Sequence, residues 1–231
     1  LAMFDDTTRQ CREISQSFSF LIKVQQPPYQ DEAALSFYQL TGLVSDSYEN
    51  ATLIFSHEYR KLQKENLKNG GIDLSVMYDY GCKDALKAQL EEEGFSVKHL
   101  ARVPLAIWCN KDSPIAKGRC GRVEDLGKSP ILVPNEPSTP LRNAIVKFCE
   151  MHNIKPRFAT INSNTQREFY LKGASSGIYV LPRSLEYSDV VFKSRSDMVF
   201  VPFIEKDAAA EAFAVANNQS ESFRYLKNFL S

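Results

Sequence analysis

The stretch Asn164–Arg183, NTQREFYLKGASSGIYVLPR, constrains this chain most tightly. It predicts a helix over Thr165–Lys172 that stops at Gly173, a turn of small residues, and a strand over Ile178–Leu181 closed by Pro182. Ile178, Tyr179, Val180 and Leu181 are apolar in succession rather than in alternation. Such a strand needs cover on both faces, as in an α/β sheet sandwiched by helices.

The rest of the chain has the same rhythm. Phe18–Val24 alternates as a strand, Gln25-Gln26-Pro27-Pro28 breaks it, and Asp31–Val44 carries helical apolar spacing. Ala51–Phe55 and Ile72–Tyr78 read as strands, with a helix over His57–Asn69 between them that Gly70-Gly71 ends. A helix over Asp84–Glu93 then precedes a long β segment, Phe95–Cys109. After a connection at Lys111–Pro114 the rhythm restarts, with strand Pro130–Val133, helix Pro140–His152 and strand Arg157–Ile161. Met198–Ile204 reads as a strand returning towards the first half, Ala212–Ala216 as a short strand, and Ser220–Leu230 as a closing helix. Strands alternating with helices predict a parallel α/β sheet, here in two successive halves.

Composition narrows the function classes. Lys+Arg and Asp+Glu are 28 each, so the chain lacks the basic surplus of a protein that neutralises phosphates over its own surface. No apolar run approaches the roughly 18 to 20 residues of a membrane helix. The acidic, amphipathic opening LAMFDDTTRQCREI has no secretory character, and its initial Leu suggests a fragment or processed product. The 5 cysteines, Cys11, Cys82, Cys109, Cys120 and Cys149, show no C-x-x-C spacing, which suits reduced thiols in the cytoplasm.

Several segments together resemble the effector-binding domain of LysR-type transcriptional regulators. They are Gly71-Ile72-Asp73-Leu74-Ser75-Val76, Val103-Pro104-Leu105-Ala106-Ile107, Asp112-Ser113-Pro114-Ile115-Ala116, Asp125-Leu126, Gly177–Pro182 and the terminal helix from Glu221. The resemblance implies two Rossmann-like lobes in a periplasmic-binding-protein-like (type 2) α/β fold joined by two crossover segments. It places lobe I at about residues 17–109 plus 205–231 and lobe II at 110–204, with 1–16 as the end of a linker helix. It further implies a homodimer or tetramer that reaches DNA only through a winged helix-turn-helix outside this sequence. The helices Asp31–Val44 and Pro140–His152 are the candidate dimer face. At Gln25–Tyr29 the sequence departs from the family, which opens the next helix with a small or hydroxyl residue.

In open α/β sheets, ligands settle beyond the carboxyl ends of strands, near helix N-termini. Asn135-Glu136-Pro137-Ser138-Thr139-Pro140 offers hydroxyls and a helix start, which cap the helix, receive a carboxylate, or do both. Gln25 and Gln26 offer donors and acceptors to a polar ligand, or form a plain turn. Tyr78 and Tyr80 flank Asp79 and suit the wall of a pocket for an aromatic or amine-bearing ligand, or pack at the lobe edge. Asn164 and Ser176 complete the set of candidate ligand contacts, Asn164 after strand Arg157–Ile161 and Ser176 in the small-residue turn.

Catalysis finds no such support. Gly173-Ala174-Ser175-Ser176-Gly177 matches G-x-S-x-G, but a nucleophile elbow runs strand, turn, helix, and this segment runs helix, turn, strand. His57, His99 and His152 lack metal-ligand spacing, so neither a metal nor a cofactor is expected. Cys109 shows no resolving partner for a redox role. The expected function is to sense a small effector, anionic or aromatic, in the interlobe cleft, without catalysis. The alternative is a solute-binding protein of a transporter on the same architecture.

Overall fold

The computed structural model describes residues 20–56, 63–79, 85–134, 140–163, 166–172, 176–188 and 190–230. The first half comprises β1 (Phe20–Gln25), α1 (Glu32–Ser47), β2 (Ala51–Ser56), α2 (Gln63–Lys68), β3 (Leu74–Asp79) and α3 (Ala85–Glu92). β4 (Phe95–Asn110) leads into α4 (Pro114–Gly118), α5 (Asp125–Lys128), β5 (Pro130–Pro134), α6 (Pro140–Met151), β6 (Arg157–Ile161) and α7 (Gln166–Lys172). The chain closes with β7 (Tyr179–Pro182), α8 (Leu185–Ser188), α9 (Val190–Lys193), β8 (Met198–Pro202), β9 (Ala209–Asn217) and α10 (Phe223–Leu230).

β4 belongs to two sheets. From Phe95 to Pro104 it pairs antiparallel with β9, whose other edge pairs with β3, giving the order β2-β1-β3-β9-β4. From Leu105 onward it pairs antiparallel with β7 on one side and, from Ala106, with β8 on the other. β5 and β6 pair in parallel, and an Ile131–Ile178 bridge ties β5 to β7. The second sheet therefore runs β6-β5-β7-β4-β8.

The expected parallel sheet is a mixed one. β1, β2 and β3 are parallel as the alternation predicts, but β9 enters antiparallel between β3 and β4. The physical reason is connectivity. β9 arrives from the second half rather than through a right-handed crossover helix, so it enters the sheet from the opposite end.

Two apolar clusters cover the first sheet. Ala33, Phe37, Leu40 and Val44 of α1 pack with Ile22, Val24, Leu74 and Val76 on one face. Leu67, Leu90, Phe95, Val97, Phe213 and Val215 form the cluster on the other. The second sheet is built around Trp108, 1% exposed, whose ring centroid lies 5.2 Å from Tyr179 and 4.9 Å from Phe192. Full burial of one such side chain is worth about 1.5–3 kcal/mol.

The turn before β7 has a steric basis. At Gly177 an added Cβ would stand 2.3 Å from the Pro130 carbonyl oxygen and 2.9 Å from Leu132 Cδ2. Ile178 N–H donates to that same carbonyl at 2.9 Å, and Leu132 N–H donates to the Ile178 carbonyl at 2.8 Å. Gly177 thus lets β7 dock on β5. Gly177→Ala is expected to destabilise the domain by about 2 kcal/mol, through overpacking against backbone that cannot yield. Urea denaturation checks this, and an unchanged midpoint would show that the strands separate freely there.

Candidate functional site

The carboxyl end of β1 lies beside the amino end of β3, and hydrogen bonds join these two there and join the carboxyl end of β3 to the start of α1. Asp73 is 6% exposed, and its Oδ2 accepts from Lys23 N–H at 2.8 Å while Asp73 N–H donates to the Lys23 carbonyl at 2.8 Å. Lys23 Nζ in turn donates to the Gly70 carbonyl at 3.0 Å. The aspartate in Gly71-Ile72-Asp73-Leu74 therefore splices β1 to β3, where regular pairing is confined to Val24 and Leu74.

Further along, Gln63 Nε2 donates to the Ser75 hydroxyl and, at 2.8 Å, to the Val76 carbonyl. Ser75 Oγ donates to Gln25 Oε1 at 2.7 Å. Gln25 is only 4% exposed, so the oxygen predicted for a ligand is already occupied within the protein. Gln26 is half-buried, and its N–H donates to the Ser56 carbonyl at 3.0 Å.

Asp31 closes the arrangement. It is the N-cap of α1: Oδ1 accepts from Ala34 N–H at 3.0 Å and Oδ2 accepts from the Tyr78 hydroxyl at 2.9 Å. Tyr78 is 8% exposed, and the Tyr29 ring meets it edge-on at 6.1 Å. Burial pushes the Asp31 carboxyl above its ordinary value, against the opposing pull of Ala34 N–H and Tyr78 OH. This wall presents an amide, hydroxyls and a buried acid held in fixed orientations. It holds no nucleophile–base pair, and among the described residues no three His, Cys, Asp or Glu groups gather around a metal position.

The second half of the chain approaches these residues from one side. α6 packs against β3, and Ser184 Oγ, just past β7, donates to Glu32 Oε2 at 2.9 Å. Ser176 is exposed beside Gly177. Tyr80, Asn135, Ser138, Thr139 and Asn164 lie outside the described residues, as do His57, Cys11, Cys82 and Ser175 of the discarded motifs. Of the predicted contacts, Gln25 bonds Ser75 and Tyr78 bonds Asp31, as two separate pairs, and Gln26 lies just past the end of β1. Sequence reasoning missed Asp31, Ser75 and Gln63. Asp31 had a readable signal, being a capping residue directly ahead of an apolar helical stripe.

The other reactive residues are structural. Cys109 is buried, accepts from Ser113 Oγ at 3.3 Å, and has its thiol pushed up by burial; Cys149 is pushed up to about 11 by the same cause. Neither has the thiolate character a redox sensor needs. His99 and His152 contact Glu211 at 2.8 Å and Asp207 at 3.0 Å. No helix among the described residues is long and apolar enough to cross a membrane.

The family model for the LysR substrate binding domain matches residues 36–230. The chain belongs to that family. No curated protein sequence matches it significantly. Among solved structures, it is similar to the BenM effector binding domain with its effector benzoate, at TM-score 0.63 and 18% identity over 91% of this chain and 90% of that one. It is similar to the effector binding domain of QuiR in complex with shikimate, at TM-score 0.66 and 15% identity over 92% and 96%. Full-length CbnR complexed with its target DNA matches at TM-score 0.66 and 13% identity, over 99% of this chain and 75% of that one. This LysR-type effector-binding domain has the type 2 periplasmic-binding-protein-like fold, and its family is that of transcriptional regulators rather than transport proteins.

The Asp31–Tyr78 pair gives a test of the wall. A carboxyl whose folded pKa exceeds its unfolded one binds protons more readily when folded. Its stabilising contribution is complete below the ordinary carboxylate range and is lost as pH rises through the raised pKa. The unfolding free energy of the native domain, relative to Asp31→Asn, is therefore expected to fall as pH rises above the ordinary carboxylate range. Paired denaturation curves measure it; a flat difference would mean that Asp31 is solvated.

Proposed function

We propose that this LysR-type domain binds a small anionic or aromatic effector in the cleft between its lobes and transmits occupancy to DNA-binding heads elsewhere in its regulator. The observation that carries the reading is the family match over residues 36–230, on a chain whose strand β4 runs through both sheets. The lobes are taken as 17–109 plus 205–231 and 110–204; the hand-over of β4 from β9 to β7 at Pro104/Leu105 supports a crossover in that strand.

Gln25, Gln26, Tyr78 and Tyr80 are assigned to the lobe I wall, and Asn135, Ser138, Thr139, Asn164 and Ser176 to the lobe II wall. The family's regulatory role supports binding without turnover. The effector acts through its differential affinity for one lobe arrangement. Cytoplasmic residence goes with a regulator's role.

Self-association belongs to the same reading. Leu35 and Leu43 lie on one face of α1 and are 63% and 58% exposed, an apolar stripe suited to a second copy. α1 and α6 of antiparallel partners form the proposed face. Light scattering at micromolar concentration is expected to give at least a dimer, and Leu35→Asp with Leu43→Asp to give monomers. A native monomer would refute the arrangement.

A thermal-shift panel of metabolites, with acidic, aromatic and neutral aliphatic members, tests effector binding. A ligand at about 100 times its dissociation constant adds about 2.7 kcal/mol, which is a readable shift. Stabilisation only by compounds without an acidic or aromatic group would overturn the assigned ligand class.

A further inference from the structure

The chain returns from the second sheet to the first through residues 203–208, between β8 and β9. Alternate residues of this segment reach the second half of the chain. Phe203 forms a parallel bridge with Gly121, and its ring meets Phe148 of α6 edge-on at 5.8 Å. Glu205 Oε1 accepts from Val123 N–H at 3.2 Å. Asp207 Oδ2 lies 3.0 Å from His152 Nε2. An ionised carboxylate only accepts, so that nitrogen carries the hydrogen. The residues in between, Ile204 and Lys206, are exposed. Gly121 gives the landing place, since a Cβ there would stand 2.9 Å from Ile107 Cδ1. Its N–H donates to the Pro202 carbonyl at 2.8 Å, and Ile204 N–H donates to the Gly121 carbonyl at 3.0 Å.

The first half holds the segment too. Arg102 of β4 pairs with Glu211 at 3.0 Å and donates through Nη2 to the Lys206 carbonyl at 2.7 Å. Leu105 N–H donates to the Ala208 carbonyl at 2.9 Å. Residues 203–208 therefore span the joint and are gripped from both sides. Two features make the grip of the second half the weaker one. The His152–Asp207 pair is partly open to solvent, with side chains 29% and 49% exposed, and such pairs hold loosely. Glu205 Oε2 is buried with no hydrogen-bond partner among the described residues. A carboxylate oxygen kept from water without a donor is a cost of the docked arrangement, and release removes it.

We propose that residues 203–208 are a releasable strap, docked on the second half by Phe203, Glu205 and Asp207 and biased towards release by the unanswered Glu205 oxygen. Its role rests on the reading of the two halves as lobes that move. While docked, the strap travels with α6 and confines bending to Ala208/Ala209 and Pro104/Leu105. Once released, it lengthens the joint by its own span, so the lobes turn more freely. The strap is thus an element with two arrangements, which a ligand can bias without touching it.

Amide hydrogen exchange, followed by nuclear magnetic resonance without any ligand, tests the strap on the native domain, His152→Leu, Asp207→Ala, the double variant and Glu205→Gln. The Gly121 and Ile204 amides report on docking, and the Leu105 amide reports on the joint itself. In each single variant at His152 or Asp207, Gly121 and Ile204 are expected to exchange at least about fivefold faster, with Leu105 at its native rate. The double variant is expected to be no faster than the faster single one, because the two residues act as one pair. Glu205→Gln keeps an acceptor for Val123 N–H and removes the buried charge, so Ile204 is expected to exchange more slowly than in the native domain. Native rates in either single variant, or effects that multiply in the double one, would overturn the proposal. So would acceleration of all three amides in step, which marks general unfolding, or a Glu205→Gln rate at or above the native one. Failure here leaves effector binding in the cleft untouched, since no ligand takes part in the measurement.

Discussion

Everything in this domain hangs on one strand serving two sheets. The first ten residues of β4 hydrogen-bond to β9, and the remainder to β7 and β8. The change of partner falls at Pro104, which has no N–H to donate, while its carbonyl accepts from Arg183 N–H at 2.8 Å. Leu105 N–H already reaches the returning segment, at the Ala208 carbonyl, at 2.9 Å. The two passages between sheets are therefore stitched together where they cross. Relative motion of the lobes has to be absorbed in these few residues, because the strands on either side are buried and paired.

The two halves stabilise themselves differently. The first sheet has apolar clusters on both faces, and its strand ends are tied by polar side chains: Asp73 to Lys23, Ser75 to Gln25, Asp31 to Tyr78. From the other half, α6 packs against β3 and Ser184 reaches Glu32 of α1. The second sheet relies on a cluster of rings around Trp108. A wall of fixed polar groups discriminates among ligands because it cannot rearrange to suit a poor one.

Most of the architecture was legible where apolar runs end in Gly or Pro. The strand at Arg157–Ile161 and the helix beginning at Pro140 have the bounds that the sequence implies, and Gly70, at φ 70°, follows α2 as a glycine stop. Strand direction was not legible, since alternation with helices does not show from which end β9 enters the sheet. The short helices α4, α5, α8 and α9, each of four or five residues, carry too little periodicity to be read from sequence. At the site, sequence located the strand ends correctly but could not show that Gln25 and Tyr78 are bound to Ser75 and Asp31, contacts 50 and 47 residues away in the chain.

The central claim is that an effector couples the two lobes through the crossing at Pro104/Leu105. Pulsed electron-spin measurement of the distance between labels on two exposed positions, Glu91 in lobe I and Lys155 in lobe II, tests it most directly. The measurement is made with and without a compound that stabilises the domain in the thermal-shift panel. The account predicts a broad or longer distance without the compound, and a shorter, narrower one with it. An identical distribution in both states would mean that the ligand binds without moving the lobes, and the account would be wrong.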